Sequence, residues 1–292
     1  MKRLSAVAAI LVLVMAPKLL LAEARVESNI VFGMYSGLAL LMDIHYPDEP
    51  NGYGIVHVSG SGWARPLAYN APPLTQQPHV QVEAGPLVAA GYTIFTVNHR
   101  AIPRFQFPDP IEDLQRAVRF VRFHADDFEI DPEHIGAMGG SSGGHLVALL
   151  GTLDGIGEPD DTDPINRVSA KVQCVVARAA PTDLSKLDGN ARMLVGSGYS
   201  DDPGTEEHQR YLDASPVAHA SFDDAPTLLI HGDEDKRIPF EQAGLLADAL
   251  ADAGVKTQVI RAEGVGHDYR ATFEDPGRRE AMIEWFDTYL KR

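Results

Sequence analysis

Cysteine is nearly absent. Cys174 is the single one in 292 residues, so no intramolecular disulfide can form. A chain this long needs no such staple, because it can bury most of the apolar surface that its unfolded form exposes. Cys174 stands in the apolar run 172–177 with no His or cation beside it, and it reads as a buried structural thiol. Clusters of Lys and Arg are also missing, and the formal net charge is −16. Nucleic acid is thereby excluded as a partner, since phosphate binding needs a basic patch. The acidity speaks for solubility and self-repulsion and identifies no substrate. There is no His-Glu-x-x-His or comparable ligand spacing, and no Gly-Lys-Ser/Thr ending of a nucleotide-binding loop. Neither a metal nor another cofactor is expected. Internal repeats and low-complexity stretches are absent too. What remains is ordinary globular composition, 45% hydrophobic and 23% charged.

The first residues read as an address. Lys2 and Arg3 precede the apolar run 4–15, and Ala22-Glu23-Ala24 fits the small-x-small rule for signal cleavage. Residues 1–24 are therefore expected to be a signal peptide. Residues 25–292 are expected to form a single domain, exported to the periplasm or secreted. Pro17 and Lys18 interrupt the apolar run, which leaves an uncleaved anchor as the alternative. A lysine inside a span of ~20 residues would be costly, so no stable membrane insertion is expected after cleavage.

The mature chain alternates strand and helix signals. Leu40, Met42, Ile44 and Tyr46 recur at period two, and the turn cluster 47–52 ends that strand. Short apolar strands are expected at 55–58, 92–97, 135–138, 172–177, 227–231 and 257–260. Ile111, Leu114, Val118 and Val121 have helical spacing, and further helices are expected over 240–253 and 278–290. Apolar strands alternating with helices imply a mostly parallel central sheet with helices on both faces. Ligands then bind beyond the carboxyl ends of the strands. The stretches 154–167 and 186–211 are polar and irregular, and are expected to be loops or a small cap.

Gly139-Gly140-Ser141-Ser142-Gly143-Gly144 follows a strand and precedes a helix. A nucleophile elbow requires that context, with small residues two before and two after a serine held at a strained turn. Both Ser141 and Ser142 satisfy G-x-S-x-G, and sterics alone does not separate the two frames. His267, in Gly264-Val265-Gly266-His267-Asp268, occupies the loop after the last strand, where this fold places its base. The acid belongs between serine and base, and Asp233, Glu234 and Asp235 all follow strand 227–231.

The stretch from Ile135 to Leu146 resembles the elbow of α/β-hydrolase esterases of the hormone-sensitive-lipase-like and acetyl- and feruloyl-esterase-like groups, which often read G-x-S-A-G-G-H-L. The resemblance runs from about Leu40 to the C-terminus. It implies an α/β-hydrolase fold with a small or absent cap, and it selects Ser141 as nucleophile with Ser142 in the usual place of alanine. His231-Gly232-Asp233-Glu234-Asp235 resembles the group's His-Gly-x-x-Asp and so selects Asp235 as the acid behind His267. Ser59-Gly60-Ser61-Gly62-Trp63 is similar to its His-Gly-Gly-Gly-Trp oxyanion loop, with Ser59 replacing the bracing His and Ser61 the middle Gly. By that resemblance the backbone N–H groups of Ser61, Gly62 and Ser142 would face the oxyanion. His145 and His231 read as structural.

The resemblance implies a serine carboxylic-ester hydrolase. Its expected substrates are short-chain, acetyl-like esters, either small molecules or groups on a polysaccharide. Two alternatives share parts of this pattern. One is a serine peptidase of the prolyl-oligopeptidase type, which usually carries a large extra N-terminal domain. The other is a non-catalytic binding protein on a hydrolase scaffold.

Overall fold

The computed structural model describes residues 25–64 and 73–291; the expected leader, residues 1–24, lies outside them. Among the described residues eight strands form one sheet. They are β1 (Val26–Tyr35), β2 (Leu38–His45), β3 (Gly54–Val58), β4 (Thr93–Val97), β5 (Ile135–Gly140), β6 (Cys174–Arg178), β7 (Thr227–Gly232) and β8 (Thr257–Ala262). Their order across the sheet is β1-β2-β4-β3-β5-β6-β7-β8. Pairing is antiparallel at β1/β2 and β2/β4 and parallel from β4 through β8. The helices are α1 (Gly85–Ala89), α2 (Asp109–Phe123), α3 (Ser142–Thr152), α4 (Asn190–Val195), α5 (Glu206–Asp213), α6 (Glu241–Asp252), α7 (Tyr269–Glu274) and α8 (Pro276–Leu290).

The central strands are buried along their whole length because both faces are covered. Successive side chains point to opposite faces. Ile55 and Ile94 accordingly pack with Leu87 of α1 and Met282, Phe286 and Leu290 of α8. Their neighbours Val56 and Phe95 pack on the other face with α2, α3 and α6, through Leu114, Val118, Leu146 and Leu246. Each such side chain stabilises the fold by roughly 1.5–3 kcal/mol. Cys174 is fully buried in β6. No helix among the described residues is long and apolar enough to cross a membrane.

The structure departs from the sequence reading at the edges. Strand β1 carries no clean period-two pattern, because as the edge strand it leaves Val31, Met34 and Tyr35 exposed. The stretch 186–211 is not all loop: it holds α4 and most of α5. The α5 start is capped by Thr205, whose hydroxyl accepts the His208 N–H at 3.3 Å, and Glu206 and Glu207 occupy its first turn. Helix α8 begins at Pro276, ahead of the expected 278, because Asp275 caps the Arg278 N–H at 3.2 Å. Four parallel strands, β3, β5, β7 and β8, release their following loops at the same end of the sheet. Those loops carry Ser61, Ser141, Asp235 and His267.

Candidate active site

Strand β5 passes straight into α3 through Ser141, which has φ 54° and ψ −124°. A non-glycine residue held there is strained, and only a tightly constrained turn keeps it so. This separates the two frames left open by the sequence, since Ser142 already lies in the helix. The steric demand is visible at Gly143, where an added Cβ would lie 2.1 Å from the Val58 carbonyl oxygen. Gly60 is similarly confined: a Cβ there would meet the Gly140 carbonyl oxygen at 2.7 Å. The loop after β3 thus passes directly against the elbow.

His267 Nε2 lies 2.8 Å from Ser141 Oγ, and its Nδ1 lies 2.6 Å from Asp235 Oδ2. A carboxylate only accepts, so Nδ1 carries the hydrogen and Nε2 is left to accept the Ser141 hydroxyl. The other carboxylate oxygen, Oδ1, accepts the Arg237 and Ile238 N–H groups, each at 2.9 Å. Burial alone would raise the Asp235 carboxyl. Hydrogen bonds from His231, His267 and the Ile238 N–H outweigh it and hold the group well below the ordinary carboxylate range. Asp233 turns away to Arg261 Nε, at 2.9 Å. His231 donates to the Ile238 carbonyl at 2.9 Å and so fastens the loop that carries Asp235.

In the loop after β3, Trp63 Nε1 donates to His145 Nδ1 at 3.0 Å, and His145 Nε2 donates to the Ala214 carbonyl at 2.8 Å. Burial pushes His145 down to about 4, despite the Ala214 bond. A neutral ring can offer Nδ1 as an acceptor, so the chemistry and geometry agree. Of the three expected oxyanion donors, the Gly62 and Ser142 N–H groups have no acceptor among the described residues. The Ser61 N–H is already engaged, donating to Ser142 Oγ at 2.9 Å. These residues line a cleft of about 330 Å³ with Ser141, His267, Asp188, Asn190 and Arg237. No set of three or more His, Cys, Asp or Glu side chains among the described residues could hold a metal.

Beneath the elbow lies a group that sequence reasoning missed. Glu83 Oε1 accepts Arg178 Nε at 2.8 Å, and its Oε2 lies 3.1 Å from His57 Nε2. None of the three is more than 2% exposed. The Arg178 carbonyl accepts the Ser141 N–H at 2.8 Å, which ties this cluster to the strained turn. The available signal was a His and an Arg inside the apolar strands β3 and β6; Glu83 itself gave none.

A mostly parallel sheet in this order, with a serine wedged at positive φ between strand and helix, defines an α/β-hydrolase. Residues 42–250 match the family model described as BD-FAE, and the chain belongs to that family of α/β-hydrolase esterases. The matched stretch contains Ser141 and Asp235, whereas His267 lies beyond it. The probable carboxylic ester hydrolase LipM of Mycobacterium tuberculosis is 32% identical over 224 residues, covering 69% of this chain and 50% of LipM. The chain spans about half the length of the curated relatives LipM, LipQ and LipC. Among solved structures, a truncated carbohydrate esterase from gut microbiota is similar with a TM-score of 0.77 and 27% identity, over 92% of this chain and 97% of that one. An acetyl ester-xyloside bifunctional hydrolase from Caldicellulosiruptor lactoaceticus shares the fold, with a TM-score of 0.75 and 24% identity over 89% and 96% of the two chains.

Proposed function

We propose that the protein hydrolyses carboxylic esters of short acyl groups through an acyl-enzyme formed on Ser141. The observation that carries this reading is the unbroken hydrogen-bond chain from Ser141 Oγ through His267 to Asp235 at the head of the cleft. As Ser141 Oγ attacks the ester carbon, His267 Nε2 takes its proton and the carbonyl electron pair moves onto oxygen. Asp235 holds the ring and stabilises the imidazolium. The Gly62 and Ser142 N–H groups stabilise the oxyanion, each such donor contributing roughly 3 kcal/mol. The intermediate collapses, the alcohol leaves with the proton from His267, and water repeats the sequence to release the acid.

The size of the cleft, about 330 Å³, is at the low end for ligand sites and favours an acetyl-like acyl group. Asp188, Asn190 and Arg237 in its lining favour a polar alcohol such as a sugar hydroxyl, in keeping with the name of the gut carbohydrate esterase. The test is a panel of chromogenic esters of increasing acyl length alongside matching amides. Acetyl and propionyl esters are expected to turn over fastest. Cleavage of the amides in preference to the esters would refute the reading.

The N-terminal pattern of Lys2, Arg3, the apolar run 4–15 and Ala22-Glu23-Ala24 supports export with cleavage before Arg25. N-terminal sequencing of the protein from its native host that returned Met1 would refute the cleavage.

A further inference from the structure

Ser142 is 1% exposed, sits at the first position of α3, and lines the cleft next to Ser141. Its oxygen accepts the Ser61 N–H at 2.9 Å. A serine hydroxyl has one hydrogen to give as well as lone pairs to receive, and no described residue accepts that hydrogen. A buried hydroxyl with an unused donor thus lines the same cleft as Ser141 and His267, where the substrate carbonyl must lie. We infer that the Ser142 hydroxyl is itself an oxyanion donor, polarised from behind by the Ser61 N–H. This rests on the esterase reading of Ser141.

The physical logic is a relay of hydrogen bonds without proton transfer. The Ser61 N–H points at Ser142 Oγ, and so it reaches the oxyanion through a hydroxyl. Accepting one hydrogen bond makes that hydroxyl a better donor of the next, and the effect is larger in a site closed to water. Where the resembling esterases carry alanine after the nucleophile, this chain has gained a side-chain donor and directed a main-chain one into it. The oxyanion would then receive the Gly62 N–H, the Ser142 N–H and the Ser142 O–H. Such a donor acts on charge that exists only in the transition state, so its loss lowers kcat and leaves KM nearly unchanged.

The test compares wild type, Ser142→Ala, Ser142→Thr and Ser141→Ala on p-nitrophenyl acetate, together with the rate of labelling by a fluorophosphonate, whose phosphoryl oxygen sits where the oxyanion does. Ser142→Ala is expected to lose about 10- to 100-fold in kcat, less than the full loss of an isolated donor because the freed Ser61 N–H takes over part of the work. Labelling should slow in parallel, KM should move less than threefold, and Ser142→Thr, which keeps a hydroxyl, should recover more than half the loss on a logarithmic scale. A kcat for Ser142→Ala within fivefold of wild type, or above it, overturns the inference. A wild-type protein that neither hydrolyses the ester nor takes the label fails the esterase reading instead. An active, labelled wild type with an unaffected Ser142→Ala fails only this inference.

Discussion

Replacing Glu83 with Gln removes the negative charge that the buried guanidinium of Arg178 faces. The three partners are sealed from water, with Glu83 0%, His57 1% and Arg178 2% exposed. Arg178 Nη1 already lacks a hydrogen-bond acceptor among the described residues, so the variant leaves a cation with little to offset its burial. Breaking a buried pair in this way costs about 3–5 kcal/mol. The titration of Glu83 gives a second route to the figure. Burial pushes its carboxyl upward, yet Arg178 and the His57 hydrogen bond overcome that and bring it from 4.5 down to about 2. That displacement corresponds to about 3 kcal/mol. Because the folded carboxyl titrates below the unfolded one, the stabilisation is fully present above pH 4.5 and is lost as pH falls toward 2. For a domain of this size about 3 kcal/mol lowers Tm by roughly 6–12 °C. Thermal melts of wild type and Glu83→Gln should therefore differ by that much near pH 7, and the gap should narrow steadily as pH falls from 4.5 toward 2. A gap under about 2 °C at pH 7, or one that widens toward acid, would show that the cluster does not hold the elbow as described.

Other substitutions test the site itself. Ser141→Ala should abolish both ester turnover and fluorophosphonate labelling; a variant that still takes the label would place the nucleophile elsewhere. Asp235→Asn should lower kcat by about 10³–10⁴-fold with a small change in KM, because an amide that donates to Nδ1 forces the hydrogen onto Nε2; a loss under tenfold in steady-state assays would mean His267 is oriented by something else. Gly143→Ala brings a Cβ to 2.1 Å from the Val58 carbonyl oxygen. Backbone cannot yield as a flexible side chain does, so the cost should be about 3 kcal/mol or more, seen as a large fall in Tm or insoluble expression; an unchanged melt would refute the packing of β3 against α3.

The line between what the sequence discloses and what it hides follows the range of the interaction. Ser141 and His267 announce themselves because their loops need flanking glycines, and a local steric demand leaves a local pattern. The central strands are legible for the same reason: burial on both faces makes β3, β4 and β6 mostly apolar runs. Strand β1 is not, because an edge position relaxes the pattern. Helices α4 and α5 are short, and their caps at Gly189 and Thr205 look like ordinary loop chemistry. The contacts between Glu83 and Arg178 and between Ser61 and Ser142 join residues 95 and 81 positions apart. Neither end carries a local mark of the other, so only the folded chain reveals them.

The loop after β3, proposed to carry oxyanion donors, shows how a missing side chain shifts a structural task to distant residues. Ser59 stands where the resembling esterases have their bracing His, and it is 1% exposed with no partner for its hydroxyl among the described residues. A buried hydroxyl left unpaired costs about 1–3 kcal/mol, so Ser59 cannot be what holds the loop. The holding falls instead to Trp63 on His145, to Ser61 on Ser142, and to Asn190, whose Nδ2 donates to the Gly62 carbonyl at 3.1 Å. The first two anchors come from α3, immediately behind Ser141, so this loop and Ser141 share one rigid support. The third comes from α4, in the segment that also lines the cleft through Asp188 and Ala191. Gly62, whose N–H is proposed to face the oxyanion, is therefore tied through its carbonyl to the segment proposed to meet the substrate's alcohol. If Gly62 and α4 play these proposed roles, a substitution in α4 that alters which alcohol fits should also shift the Gly62 N–H, and selectivity and rate in this site should change together.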